Sequence, residues 1–102
     1  MKEHPIYKRI LLELSGEMMG SDDQTIDPAV LNSLTSQISE LKDCGLQIAI
    51  VIGAGNIWRG AGKQSSMCRN RAHMIGMLAT VVNAMALQSA LESCGVPAVV
   101  LS

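Results

Sequence analysis

Ile48-Ala49-Ile50-Val51-Ile52-Gly53-Ala54-Gly55-Asn56-Ile57-Trp58-Arg59-Gly60-Ala61-Gly62 decides the fold: an apolar, β-branched run that stops abruptly in a loop holding four glycines and one arginine. The run is too short to span a bilayer, and its branched side chains predict a strand buried on both faces, as in a parallel sheet. Open parallel sheets bind ligands beyond the carboxyl ends of their strands, which is where the loop over 53–62 falls. Gly53 and Gly55 let the backbone approach a ligand with no Cβ in the way, and successive N–H groups in such a loop form an anion-binding concavity. Arg59 adds a forked, permanently charged donor suited to phosphate oxygens. A plain β-to-α turn uses the same glycines, so the loop's composition alone leaves both readings standing.

Two familiar nucleotide motifs fail here. The dinucleotide fingerprint, aligned on Gly53 and Gly55, wants a glycine where Trp58 stands. The Walker pattern, aligned on Gly62-Lys63, wants a glycine at Ile57 and a serine or threonine at Gln64.

Upstream, Lys8-Arg9-Ile10-Leu11-Leu12-Glu13-Leu14 reads as a first strand over 8–14, closed by Ser15-Gly16-Glu17. This is a second strand-to-glycine junction, and two such loops on one parallel sheet can face one ligand. A polar loop follows, and Asp27-Pro28 is a strong helix start: the carboxylate caps free N–H groups, and proline is pre-set for the first turn. Leu31, Leu34, Ile38 and Leu41 recur at helical spacing and predict a helix over 28–44 with one face on the sheet. Gly45 ends that helix in the left-handed conformation, and the strand over 46–52 completes a crossover unit.

Downstream, Lys63, Arg69 and Arg71 give a basic stretch that reads as a solvated surface or, alternatively, as extra positive charge near phosphates. Ala72 to Leu91 carries Met74, Met77, Leu78, Val81, Val82, Met85, Leu87 and Leu91 with no Asp, Glu, Lys or Arg before Glu92. A helix over 72–94 that is apolar on most of its circumference needs cover on more than one side, so it is expected to pack on the sheet inwardly and on another subunit outwardly. Thr80, Asn83, Gln88 and Ser89 argue against a membrane span. Gly95 terminates the helix, and Val96 to Leu101 reads as a third strand over 96–101.

The 102 residues allow one domain or part of one, and the net charge of −1 gives no reason to expect nucleic-acid or membrane-surface binding. With no Phe and seven Met, the core must be aliphatic and thioether. Three scattered cysteines fit a reducing compartment, hence a cytoplasmic location, better than a disulfide framework. Cys68 and His73 lack the further ligands a metal site needs, and the first residues carry no signal-peptide pattern.

Three stretches together resemble the bacterial-type UMP kinases of the amino-acid-kinase superfamily. These are Tyr7-Lys8-Arg9-Ile10-Leu11-Leu12 with Leu14-Ser15-Gly16-Glu17; Gly53-Ala54-Gly55-Asn56-Ile57-Trp58-Arg59-Gly60; and Gly76-Met77-Leu78-Ala79-Thr80-Val81-Val82-Asn83-Ala84-Met85-Ala86-Leu87. The resemblance implies an α/β protein with a three-layer α/β/α, parallel-sheet fold, truncated here after the third strand. It implies transfer of the γ-phosphate of ATP to UMP, giving UDP for pyrimidine nucleotide biosynthesis, with magnesium and as a homo-oligomer through helix 72–94. Carried over by position, Ser15, Gly16, Gly55 and Arg59 would contact ATP. Gly53 and Ala54 would lie against UMP, with His73 at the position of a family aspartate that serves UMP. Arg59 would neutralise charge on the reacting phosphates. Such chemistry needs positioning and charge stabilisation more than covalent work by the protein.

The chain departs from that pattern. Glu13 replaces the lysine of the family's Lys-Leu-Ser-Gly motif, removing a cation beside the transferred phosphate and adding an anion, a change expected to cost orders of magnitude in rate. His73 stands in place of the aspartate, and Ala54 replaces the middle glycine. The later region of the family, with its adenosine pocket, is not among these residues, so the 102 residues by themselves are expected to be inactive. Two functions follow: the N-terminal part of a UMP kinase, or a degenerate oligomerising module with at most a weak phosphate site.

Overall fold

The computed structural model of the chain describes residues 6–58 and 67–101. Strand β1 (Arg9–Leu14) leads through a single 3-10 turn (Gly16–Met19) to helix α1 (Pro28–Asp43), strand β2 (Gln47–Ile52) and the long helix α2 (Arg69–Ser93). β1 and β2 pair in parallel, with Arg9 opposite Gln47 and Leu14 opposite Ile52, so both strands end at the same edge. The parallel α/β architecture is the one expected. The helices begin and end close to the expected residues, except that α2 starts three residues before the expected 72, at Arg69.

Local chemistry explains the boundaries. Asp27 Oδ1 accepts from Ala29 N at 2.9 Å and Pro28 occupies the first turn, so α1 starts where the sequence placed it. α1 and α2 are each followed by a glycine with positive φ, Gly45 at 90° and Gly95 at 80°.

The core is one cluster of Met19, Leu31, Ile38, Leu87, Leu91 and Val96, with Leu14, Ile48, Ile50 and Ile52 packed against it. Both helices therefore cover the same face of the sheet. Along each strand, half-buried and exposed residues alternate, and Leu11 and Val51 stand on the open face, 59% and 56% exposed. The expectation of a strand buried on both faces is thus not met within the described residues. An apolar run marks the two-sided cover a strand can accept, whereas among the described residues one helical layer supplies it.

The expected third strand over 96–101 is not formed either: the described sheet has two strands, β1 and β2. Val96 enters the core and Gln88 Nε2 donates to Ala98 O at 2.9 Å, so a side chain takes a carbonyl that a neighbouring strand would otherwise take. A groove of about 520 Å³, lined by Ile48, Ile50, Leu87, Ala98 and Val100 among others, involves both β2 and this segment. Extended sequence becomes strand only when a partner backbone lies within hydrogen-bonding distance, which periodicity cannot reveal.

Candidate phosphate site at the strand ends

Because β1 and β2 are parallel and in register, the junctions after Leu14 and Ile52 emerge side by side. Gly53 N donates to Leu14 O at 2.9 Å, tying the second loop to the end of the first strand. The contact between the loops is so close that only hydrogen fits at Gly16: a Cβ there would lie 2.5 Å from Gly55 N and 2.7 Å from Ala54 Cα. Ser15 and Gly16 are thereby brought together with Gly53, Ala54 and Gly55. The Glu17 carboxylate fills the space beside Gly55.

The second loop turns tightly. Ile57 N and Trp58 N both donate to Ala54 O, at 2.9 and 2.8 Å. Trp58 Nε1 then reaches Ala72 O in the first turn of α2 at 3.0 Å, and Trp58 Cδ1 lies beside Gly76. Arg59, the residue expected to neutralise phosphate charge, lies outside the described residues.

Two further expected site residues, Glu13 and His73, are exposed. Glu13 is exposed on the open face of the sheet, opposite Val51. His73 is exposed on α2; beside it, Ala72 makes the contact to the loop through its carbonyl. Among the described residues no three or more His, Cys, Asp or Glu side chains meet as metal ligands.

The sequence reading missed Asn83 and Asn56 as parts of this site. Asn83 is fully buried, and Nδ2 donates to Gly53 O at 2.9 Å and to Asn56 Oδ1 at 2.8 Å. The legible signal was periodicity: Asn83 falls in the stripe of Ala79, Leu87 and Leu91, four residues apart, and an amide in a buried stripe requires a partner. At the other end of the first loop, Asp27 is held below the usual carboxylate range by the Ser21 side chain and then the Ala29 amide, with burial opposing and the Val30 amide adding less.

Residues 8–102 match the amino acid kinase family model. The chain belongs to the amino acid kinase family. It is 52% identical over 93 residues to a uridylate kinase of Limosilactobacillus reuteri (strain DSM 20016), an overlap of 89% of this chain and 39% of that protein. A uridylate kinase of Pediococcus pentosaceus is 50% identical over the same shares. Among solved structures, UMP kinase from Ureaplasma parvum superposes with a TM-score of 0.85 at 38% identity, covering 92% of this chain and 42% of that one. UMP kinase from Bacillus anthracis gives 0.79 at 34% identity, over 85% and 36%. The chain thus spans about two fifths of the curated relatives it matches.

Proposed function

We propose that these residues form the front part of a UMP kinase, in which the paired loops after β1 and β2 seat the phosphates of ATP and UMP. The observation that carries this reading is the junction itself: Gly53 N bonded to Leu14 O, with Gly16 packed against Gly55 N, at the carboxyl edge of a parallel sheet. Backbone N–H groups there are held in place before a ligand arrives. Phosphoryl transfer rewards that, since its barrier falls mainly through alignment and charge stabilisation. ATP supplies the phosphoryl group, magnesium accompanies its phosphates, and Arg59 adds positive charge from the same loop. The outer face of α2 joins copies of the chain, and the protein works in the cytoplasm.

The experiment joins this chain to the region that a uridylate kinase relative carries beyond the match and assays UDP formation from ATP, UMP and magnesium. UDP formation supports the reading; a folded fusion that binds neither nucleotide overturns it. Glu13 favours the second reading, a degenerate oligomerising module, because it sets an anion where the family resemblance wants lysine. Glu13→Lys in the same fusion separates the two. A rise of about tenfold or more in UDP formation supports a kinase site weakened by one charge, and no gain supports the degenerate module.

A further inference from the structure

The glycine loop is held from behind by a closed network of amides. Asn83 Nδ2 donates to Gly53 O and to Asn56 Oδ1, while Asn56 Nδ2 donates back to Asn83 Oδ1 at 3.2 Å and onward to Thr25 O at 2.9 Å. A primary amide has two N–H bonds, so the donors of both side chains are all used. At its buried end the network fixes geometry, because moving the fully buried Asn83 amide strands a donor or acceptor.

The consequence for the loop follows from peptide geometry. In a planar trans peptide the C=O of one residue and the N–H of the next point in opposite directions. Anchoring Gly53 O to α2 therefore turns the Ala54 N–H away from the helix. Without Asn83, rotation of this glycine peptide would be opposed by little, since Gly53 has no side chain to restrict it.

We propose that Asn83 is a positioning residue for phosphate-monoester binding: its bond to Gly53 O fixes the Gly53–Ala54 peptide and so sets the direction in which the loop's N–H groups meet the ligand. The proposal rests on the reading of this loop as a phosphate site. Asn83 does not touch the ligand; it acts through the backbone of the loop.

Asn83→Asp tests this with little change of shape. The Asn56 amide can rotate to donate to the new carboxylate, but Gly53 O can only accept, so its partner is lost. In the isotopically labelled fusion used above, the Gly53 carbonyl carbon and Ala54 amide nitrogen resonances should move while the amides of β1 and β2 keep their positions. Affinity for UMP, followed by the same resonances, should fall about tenfold, the worth of one well-placed hydrogen bond to an anion. A folded variant with unmoved Gly53 and Ala54 resonances, or with wild-type affinity for UMP, overturns the role of Asn83. Failure of the wild-type fusion to bind UMP overturns instead the phosphate reading on which the proposal rests. Should Asn83→Asp not fold, the wild-type fusion decides. UMP should shift the Asn83 side-chain resonances together with the Gly53 to Gly55 amides, and side-chain resonances that stay still while the loop moves overturn the proposal.

Discussion

A single absent methyl group sets how closely the two loops approach. At Gly16 an added Cβ would meet backbone atoms of Ala54 and Gly55, which cannot move without pulling Gly53 off Leu14. At Gly55 it would meet the carboxylate end of the Glu17 side chain rather than backbone. Gly16→Ala should therefore cost about 2 kcal/mol of stability in urea titrations, and Gly55→Ala distinctly less. Equal losses would show that the loops are not in backbone contact. Asp27 gives a pH dependence at the same scale. Its folded pKa lies below the unfolded one, so the stability it contributes is present above the unfolded value, near 3.8, and is lost as the pH falls through the folded value. Asp27→Asn keeps a capping oxygen but removes the titration. The urea midpoint of the wild type should exceed that of the variant at pH 7 and converge with it toward pH 2. A difference that persists unchanged at pH 2 would assign the effect to something other than the carboxylate.

At the scale of the element, α2 has two unlike faces. Inward, Ala72, Ala79, Asn83, Leu87 and Leu91 form a buried stripe, and Asn83 and the Ala72 carbonyl hold the glycine loop. Outward, Met74, Met77, Leu78, Val82 and Met85 are between 51% and 68% exposed, a contiguous apolar surface of the kind that marks an interface. By length and composition this helix could cross a membrane. Its buried amide and its bonds to the loop fit instead a helix packed on a sheet. A second copy covering the outer face would bury each methionine for about 1.5–3 kcal/mol. Met77→Lys with Met85→Lys should weaken self-association by about 100-fold or more in sedimentation equilibrium, with the circular dichroism unchanged. Undiminished association would place the interface elsewhere.

Across the whole molecule, burial is lopsided. The described residues extend 54 × 27 × 19 Å with a radius of gyration of 15.4 Å. A compact domain of about 100 residues has about 13 Å. One sheet face carries both helices, while Leu11, Ala49 and Val51 stand on the other. Among the described residues the two strand-end loops meet at one junction, and the chain spans 39% of each of two uridylate kinase relatives. The 102-residue chain alone, given ATP, UMP and magnesium, should therefore form no UDP above the uncatalysed background. Turnover by the pure chain would show that two loops and one helix suffice for the chemistry.

The sequence by itself determined the order and type of the four main elements, the cap at Asp27, the stops at Gly45 and Gly95, and the placement of glycine loops at two strand ends. These depend on local causes: periodicity, capping chemistry and backbone freedom act between residues a few positions apart. Only the tertiary structure decided which residues 30 or more apart come into contact. It set Gly16 against Gly55, bonded Asn83 to Gly53 and Asn56 to Thr25, and among the described residues left Val96 to Leu101 outside the sheet. Glu13 and His73, singled out by comparison with a motif, were assigned their exposed positions by strand alternation and helix phase. The physical reason is common to all of these. A hydrogen bond or a covered face needs a second surface, and the sequence of one element does not state where another will lie.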